Sequence, residues 1–335
     1  MPTAYLTTLG MKVSVTSERL EIDVPKDKGG EEVLPERRWI PLVDVEFVVL
    51  DAGVRLSSRS LTALLRRRIP VLYLSHGRMP AGMALPLNRF ATIKARQLDG
   101  SRDPDLRLRF SKELVFSKIN NQKRVIQRLA ANRKQPPVAA AWLNSMANQA
   151  LAAASVDSLR GIEGAASGRY FETLAGFFPE DLPFEGRSRR PPKNPPNALL
   201  SFGYTLLVSE LSVHLHACGL EPSWGLYHET EDGRPALALD LLEPFRAPVI
   251  DGLCLDILNH RQLQRSDFEE VNGGVLLKRT SRRKFFAALE RRLERDFLSE
   301  QAGHRTSLRQ VMRDHCLAVK KLFSEGTLFR PFLMN

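Results

Sequence analysis

Glu163 lies in Gly161-Ile-Glu-Gly-Ala-Ala-Ser-Gly-Arg-Tyr-Phe, a helical stretch in which small side chains follow the carboxylate directly. Small residues let a ligand or another backbone come close. Spacings of three and four put Glu163, Ala166 and Tyr170 on one stripe, bringing an acid and a phenol together. A solvated glutamate on a tightly packed helix fits the same residues. Asp240 and Glu243 follow the strand-like Ala236-Leu-Ala-Leu and precede Pro244, so a buried strand is expected to deliver two carboxylates at the start of a helix. Asp-x-x-Glu is also the pattern of a capping box, in which both acids satisfy backbone N–H groups.

His228 stands just before the turn Thr230-Glu-Asp-Gly-Arg-Pro. A lone histidine there is ordinarily an exposed side chain. If residues 236–239 return antiparallel beside residues 225–227, however, the imidazole and the acids meet at one end of a short hairpin. A neutral imidazole with carboxylates makes a first-row metal site that accepts manganese as well as magnesium. Arg187, Arg189, Arg190 and Lys193 crowd the loop Gly186-Arg-Ser-Arg-Arg-Pro-Pro-Lys-Asn-Pro-Pro-Asn. Cations on a stiff, proline-rich loop lose less entropy on gripping phosphate than cations on a floppy linker. A second basic run, Arg282-Arg-Lys284, starts a late helix, and Arg66-Arg-Arg68 reads as a favourable helix C-terminus.

Two kinds of element must position these residues. As far as about Leu87 the pattern is β-like: Arg19-Leu-Glu-Ile-Asp-Val alternates at period two, and Val43-Asp-Val-Glu-Phe-Val-Val-Leu follows. One short helix begins at the capping residue Ser60, and Pro70-Val-Leu-Tyr-Leu-Ser is a compact strand. Pro86 breaks the strand pattern, placing a boundary near residues 86–92. Beyond it apolar residues recur at helical spacing over 103–133 with Lys and Arg on the other face, and Pro136-Pro137 ends that helix. Further helices are expected over 138–153, 157–178, 197–218 with Gly219 as the stop, 249–259 and 282–299. The fold class is α+β, with a β-rich domain over 1–87 and a larger all-α domain over 93–335.

The chain has 335 residues, 49 Lys and Arg against 38 Asp and Glu, and a formal net charge of +11. That excess favours a polyanionic partner. Hydrophobic residues at 43% are enough to bury two cores and exclude a disordered chain. Cys218, Cys254 and Cys316, odd in number and unpaired in spacing, suggest neither a disulfide framework nor a zinc ribbon and fit a reducing cytoplasm. The start lacks a signal-peptide pattern, and residues 198–208 fall short of a membrane span. A soluble, cytoplasmic protein without a membrane partner is expected.

Gly161-Ile-Glu-Gly with Tyr170-Phe171, Arg189-Arg-Pro-Pro-Lys-Asn-Pro-Pro-Asn-Ala-Leu-Leu-Ser-Phe-Gly-Tyr204, Gly219-Leu-Glu-Pro and Gly233-Arg-Pro-Ala-Leu-Ala-Leu-Asp-Leu-Leu-Glu-Pro-Phe-Arg246, taken in order, resemble the CRISPR-associated Cas1 integrase family. The similarity spans essentially the whole chain. It implies an N-terminal β-domain that dimerises, a helical catalytic domain, and assembly of two dimers on a Cas2 dimer into a heterohexamer. The implied activity is that of a metal-dependent DNA integrase and endonuclease. It captures short duplex DNA and joins its 3′-hydroxyls to the CRISPR leader-repeat by transesterification with Mg2+ or Mn2+. Carried over, the metal ligands fall on Glu163, His228 and Glu243, with Asp240 the neighbouring active-site acid. Two positions depart from the family pattern: Asn194 stands where aspartate is common, and the third ligand is the longer Glu243. A structure-specific nuclease acting on branched DNA, or a catalytically silent DNA-binding scaffold, are the rival readings.

Overall fold

The computed structural model describes residues 3–25, 36–75, 80–87, 90–188, 190–300 and 303–334, and the chain divides into two units, Met1–Asn88 and Arg89–Asn335. The first runs β1 (Thr3–Leu6), β2 (Lys12–Thr16), β3 (Arg19–Val24), β4 (Glu36–Pro41), β5 (Phe47–Asp51), β6 (Arg55–Leu56), α1 (Ser58–Arg66), β7 (Val71–Leu74) and β8 (Pro80–Ala84). The period-two alternation sets the register of β2 on β3, where Val13 faces Ile22 and Val15 faces Leu20, so these side chains share one face. One sheet has the order β4-β3-β2-β6 and the other β1-β5-β7-β8. In the latter β5 is buried along its length and parallel to both neighbours, the environment its unbroken apolar run requires. Ser57, three residues ahead of Ser60, caps α1 by accepting the Ser60 N–H at 3.1 Å. Ser60 is buried and accepts the Val15 N–H instead.

The second unit runs α2 (Ala91–Arg102), α3 (Pro104–Asn132), α4 (Ala140–Ala152), α5 (Val156–Ala175), α6 (Pro195–Cys218), α7 (Ala236–Phe245), α8 (Gly252–Asn259), β9 (Phe268–Val271), β10 (Gly274–Leu277), α9 (Arg282–Glu294), β11 (Phe297–Ser299), β12 (His304–Thr306) and α10 (Leu308–Glu325). Asp103 accepts the N–H groups of Asp105 and Leu106 and Pro104 opens α3, the start that its missing N–H favours. Asn194 caps α6 through the Asn197 N–H at 3.0 Å, so the amide keeps the acceptor an aspartate would offer there. Gly219, at φ +88°, ends α6, and a Cβ on it would overlap the Phe90 ring. By length and composition α6 could cross a membrane, yet most of it is buried inside this unit.

Three expectations change. Residues 236–239 are not a strand beside residues 225–227; they open α7, which is buried at every position but Leu239. Four alternating Ala and Leu residues satisfy both periods, and only the apolar residues continuing through Phe245 identify a core helix. The helix expected over 282–299 stops at Glu294, and β11 pairs with β12 beyond it. Helices α2 and α10 add to those read from the pattern.

Candidate active site

Helix α7 carries Asp240 and Glu243 three positions apart, and both are buried. The capping-box reading fails, because Pro235 occupies the N-cap position and makes no side-chain cap bond. Pro244 lies inside the helix, where it removes one backbone donor, and the chain then widens into a π-helical turn over Arg246–Asp251. Such turns reorient side chains and recur at functional sites. Here the turn brings Arg246 Nε to 3.1 Å from Glu243 Oε1.

Asp240 serves the neighbouring loop instead. Its Oδ2 accepts the N–H groups of Leu226 at 2.7 Å and Tyr227 at 3.0 Å, and its Oδ1 accepts the His228 N–H at 2.8 Å. The same Oδ1 lies 2.6 Å from His228 Nδ1. A carboxylate accepts only, so Nδ1 carries the proton and the Nε2 lone pair is left to act. Arg107 binds the Leu226 carbonyl at 3.0 Å, and Arg160 pairs with Glu229. Gly225 permits the tight turn, since a Cβ would stand 2.7 Å from the His228 carbonyl and 2.8 Å from Ala236 Cβ.

Glu163 comes from α5 and meets Glu243 through a residue the sequence reading missed. Lys118, on α3, pairs with Glu163 and stands 2.6 Å from Glu243 Oε2. His228 Nε2 is 3.8 Å from Glu243 Oε1, Ser167 donates to Glu163 at 3.1 Å and Tyr227 approaches it at 3.5 Å. Tyr170, expected beside Glu163, is buried and bonds Asp251 at 2.8 Å. Lys118 follows Leu114 by one turn and precedes Asn121 and Gln122, all buried. A lysine among polar residues on the apolar stripe was the available signal.

Burial pushes the Glu243 carboxyl up, but the charges of Arg246 and Lys118 outweigh it and leave the group at about 2, ionised at any physiological pH. Burial, then the charges of Glu163 and Glu243, hold the Tyr227 phenol protonated far above its usual range.

The donors suit a divalent cation. An ammonium already occupies the space between two carboxylates, and Glu243 Oε2 is buried without a well-aligned hydrogen bond. Two carboxylates and an imidazole nitrogen are donors that magnesium and manganese share. Among the described residues, no three His, Cys, Asp or Glu side chains stand ready to hold an ion as they are; Lys118 has to give way first.

The basic loop is divided in its environment. Arg187 turns inward, donating to the Ser188 carbonyl at 2.6 Å, Asn197 at 2.8 Å and Ser201 at 3.2 Å, with its guanidinium 5.5 Å from the Tyr204 ring. Arg190 and Lys193 are exposed, and Lys193 donates to the Gly273 carbonyl. Arg189 lies outside the described residues.

A family model described as CRISPR associated protein Cas1 matches residues 4–291. The sequence is 36% identical over 282 residues to a CRISPR-associated exonuclease Cas4/endonuclease Cas1 fusion of Geobacter sulfurreducens, covering 81% of this chain and 50% of the relative. The chain thus spans about half the length of that fusion. It is 32% identical over 312 residues to a CRISPR-associated endonuclease Cas1 of Thermus thermophilus, covering 92% of this chain and 91% of that one. Among solved structures, a CAS1 protein from Thermotoga maritima has the same fold, with a TM-score of 0.78 over 98% of both chains at 24% identity. With a family model matched along most of its length and a relative aligned nearly end to end, the chain belongs to the Cas1 family of CRISPR-associated proteins.

Proposed function

We propose that this chain is a metal-dependent DNA integrase and endonuclease of CRISPR adaptation, which joins the 3′-hydroxyls of captured short duplex DNA to a leader-repeat by transesterification. The observation that carries the reading is that Glu163 and Glu243, from distant segments, share the Lys118 ammonium while His228 Nε2 stands 3.8 Å from the other Glu243 oxygen, with Asp240 orienting the imidazole. A divalent ion, Mg2+ or Mn2+, held by those three residues would polarise the target phosphate and favour ionisation of the attacking hydroxyl. The chain's own residues do the rest by position and charge. Asp240 holds the His228 ring and its loop in one orientation, Arg246 keeps Glu243 charged and aimed, and Lys118 balances the carboxylates until it is displaced. Water in place of the hydroxyl gives hydrolytic nicking.

Family membership supports DNA as the substrate and a Cas2 dimer as the partner, two Cas1 dimers and one Cas2 dimer forming a heterohexamer in the cytoplasm. Dimerisation through residues 1–87 and catalysis within 93–335 follow the same reading. The test is joining of a labelled short duplex to a leader-repeat plasmid by the purified chain with its Cas2 partner. Joining that stops with chelator and returns with Mg2+ or Mn2+ supports the proposal. Cleavage of branched DNA without joining would favour a repair nuclease, and binding without either reaction a scaffold.

A further inference from the structure

On the second unit, an open groove of ≈ 680 Å³ with no residue of the 186–197 loop in its lining is bounded by Arg128 of α3 and by Arg291, Arg292 and Arg295 at the end of α9, over apolar residues such as Leu129 and Leu253. Arg128 stands one turn beyond Arg124, and Arg291 one turn before Arg295. A helical spacing of four is about 6 Å of rise, close to two phosphate steps along one strand of B-DNA at ~3.4 Å each. Arg128, Arg291 and Arg295 are exposed. Arg292 is held as an anchor: its Nε donates to the Pro248 carbonyl at 2.8 Å and it pairs with Asp256 at 2.7 Å. Gly252 makes room for it, because a Cβ there would stand 2.3 Å from its Nη2.

Two acids, Asp256 and Asp296, share this lining with the four arginines, and Asp256 is engaged by Arg292. The lining therefore carries an excess of cationic over anionic side chains. Burial first, and then the charges of Arg124, Arg292 and Arg295, lower the pKa of Arg128. Like charges gathered in a groove gain from a polyanion that satisfies several at once, whereas arginines scattered on a surface are simply solvated.

We infer that this groove takes the sugar-phosphate backbone of DNA outside the reacting phosphodiester. The inference rests on the proposed DNA chemistry but concerns a separate surface. Arg128 lies ten residues beyond Lys118 on α3, which is roughly 15 Å along the helix and about a quarter turn around it. DNA leaving the active site reaches the groove within about five base pairs.

The experiment measures binding of a labelled duplex of about 40 base pairs across a salt series, for the full chain and a triple variant, Arg128→Gln, Arg291→Gln and Arg295→Gln, whose fold is checked by thermal melting. A second triple variant, Arg55→Gln, Arg59→Gln and Arg66→Gln, removes the same charge from the first unit. Loss of about two to three from the log-log salt slope in the groove variant, at about 0.9 per contact, with little change in the second variant, is the expected result. An unchanged slope, or equal losses in both variants, overturns the inference while leaving the proposed function standing. An unchanged slope together with lost binding of a labelled Glu-Leu repeat peptide would assign the groove to an acidic protein segment instead. Failure of the unmodified chain to bind DNA at all would overturn the proposed function as well.

Discussion

Asp240 grips His228 twice, through the backbone N–H at 2.8 Å and through the ring Nδ1 at 2.6 Å. With the N–H groups of Leu226 and Tyr227 on its other oxygen, one buried carboxylate sets both the loop and the imidazole orientation. Asp240→Ala leaves these donors unmatched and should cost roughly 3 kcal/mol of stability. Asp240→Asn keeps the volume but offers an amide where two N–H groups point, and should lower strand joining roughly 10- to 100-fold. Denaturant melts and joining rates check both; a wild-type rate in Asp240→Asn would separate the ring orientation from catalysis.

Lys118 balances Glu163 and Glu243. Lys118→Met removes that cation, so the metal-free protein should melt lower and Mn2+ should raise its melting temperature more than it raises that of the wild type. Equal rises in the two proteins would contradict a shared cation position.

The basic loop separates into two roles. Arg187→Ala should destabilise the fold by about 1 to 3 kcal/mol, since three hydrogen bonds and the Tyr204 contact are lost. Arg190→Ala should leave stability unchanged and reduce the salt slope of DNA binding by about one. The reverse pattern would mean that the inward turn of Arg187 is not its role in solution.

Asp251 receives both Tyr170 and Tyr204 hydroxyls in a fully buried setting. Burial raises its carboxyl from 3.8 to about 6, against the lowering influence of the two tyrosines, Arg246 and Arg187. Well below pH 3.8 the group is protonated folded or unfolded and contributes no pH dependence. As pH rises towards 6 the unfolded chain releases its proton first, so the native state loses relative stability, and above that the penalty stays constant. At about 1.4 kcal/mol per tenfold change, the difference is roughly 3 kcal/mol. Asp251→Asn should therefore gain stability relative to wild type between pH 4 and 6, as read from denaturant midpoints; parallel curves would contradict the raised carboxyl.

Much of this site was readable because its residues sit in ordered, recognisable motifs. Spacing alone could not unite Glu163, His228 and Glu243, since nothing in the intervals between them encodes proximity; the family resemblance did that. Ala236-Leu-Ala-Leu misled because four residues fit a strand as well as a helix, and the error carried the capping reading of Asp240 with it. Lys118 escaped notice because lysines on α3 were assigned to its solvated face, and only tertiary packing places this one between two carboxylates. Arg187 was legible as a cation but not as one whose donors the loop itself consumes.

The measurement closest to the central claim is strand transfer by a purified, folded Glu163→Ala protein into a leader-repeat duplex with Mg2+ or Mn2+, alongside DNA binding by the same protein. Because Glu163 is partly exposed and its partner Lys118 keeps Glu243 when Glu163 is removed, the fold and DNA affinity should persist while joining falls at least ~100-fold, the scale expected when a catalytic charge stabiliser is lost. Joining at the wild-type rate would contradict any account that places the ion on this glutamate.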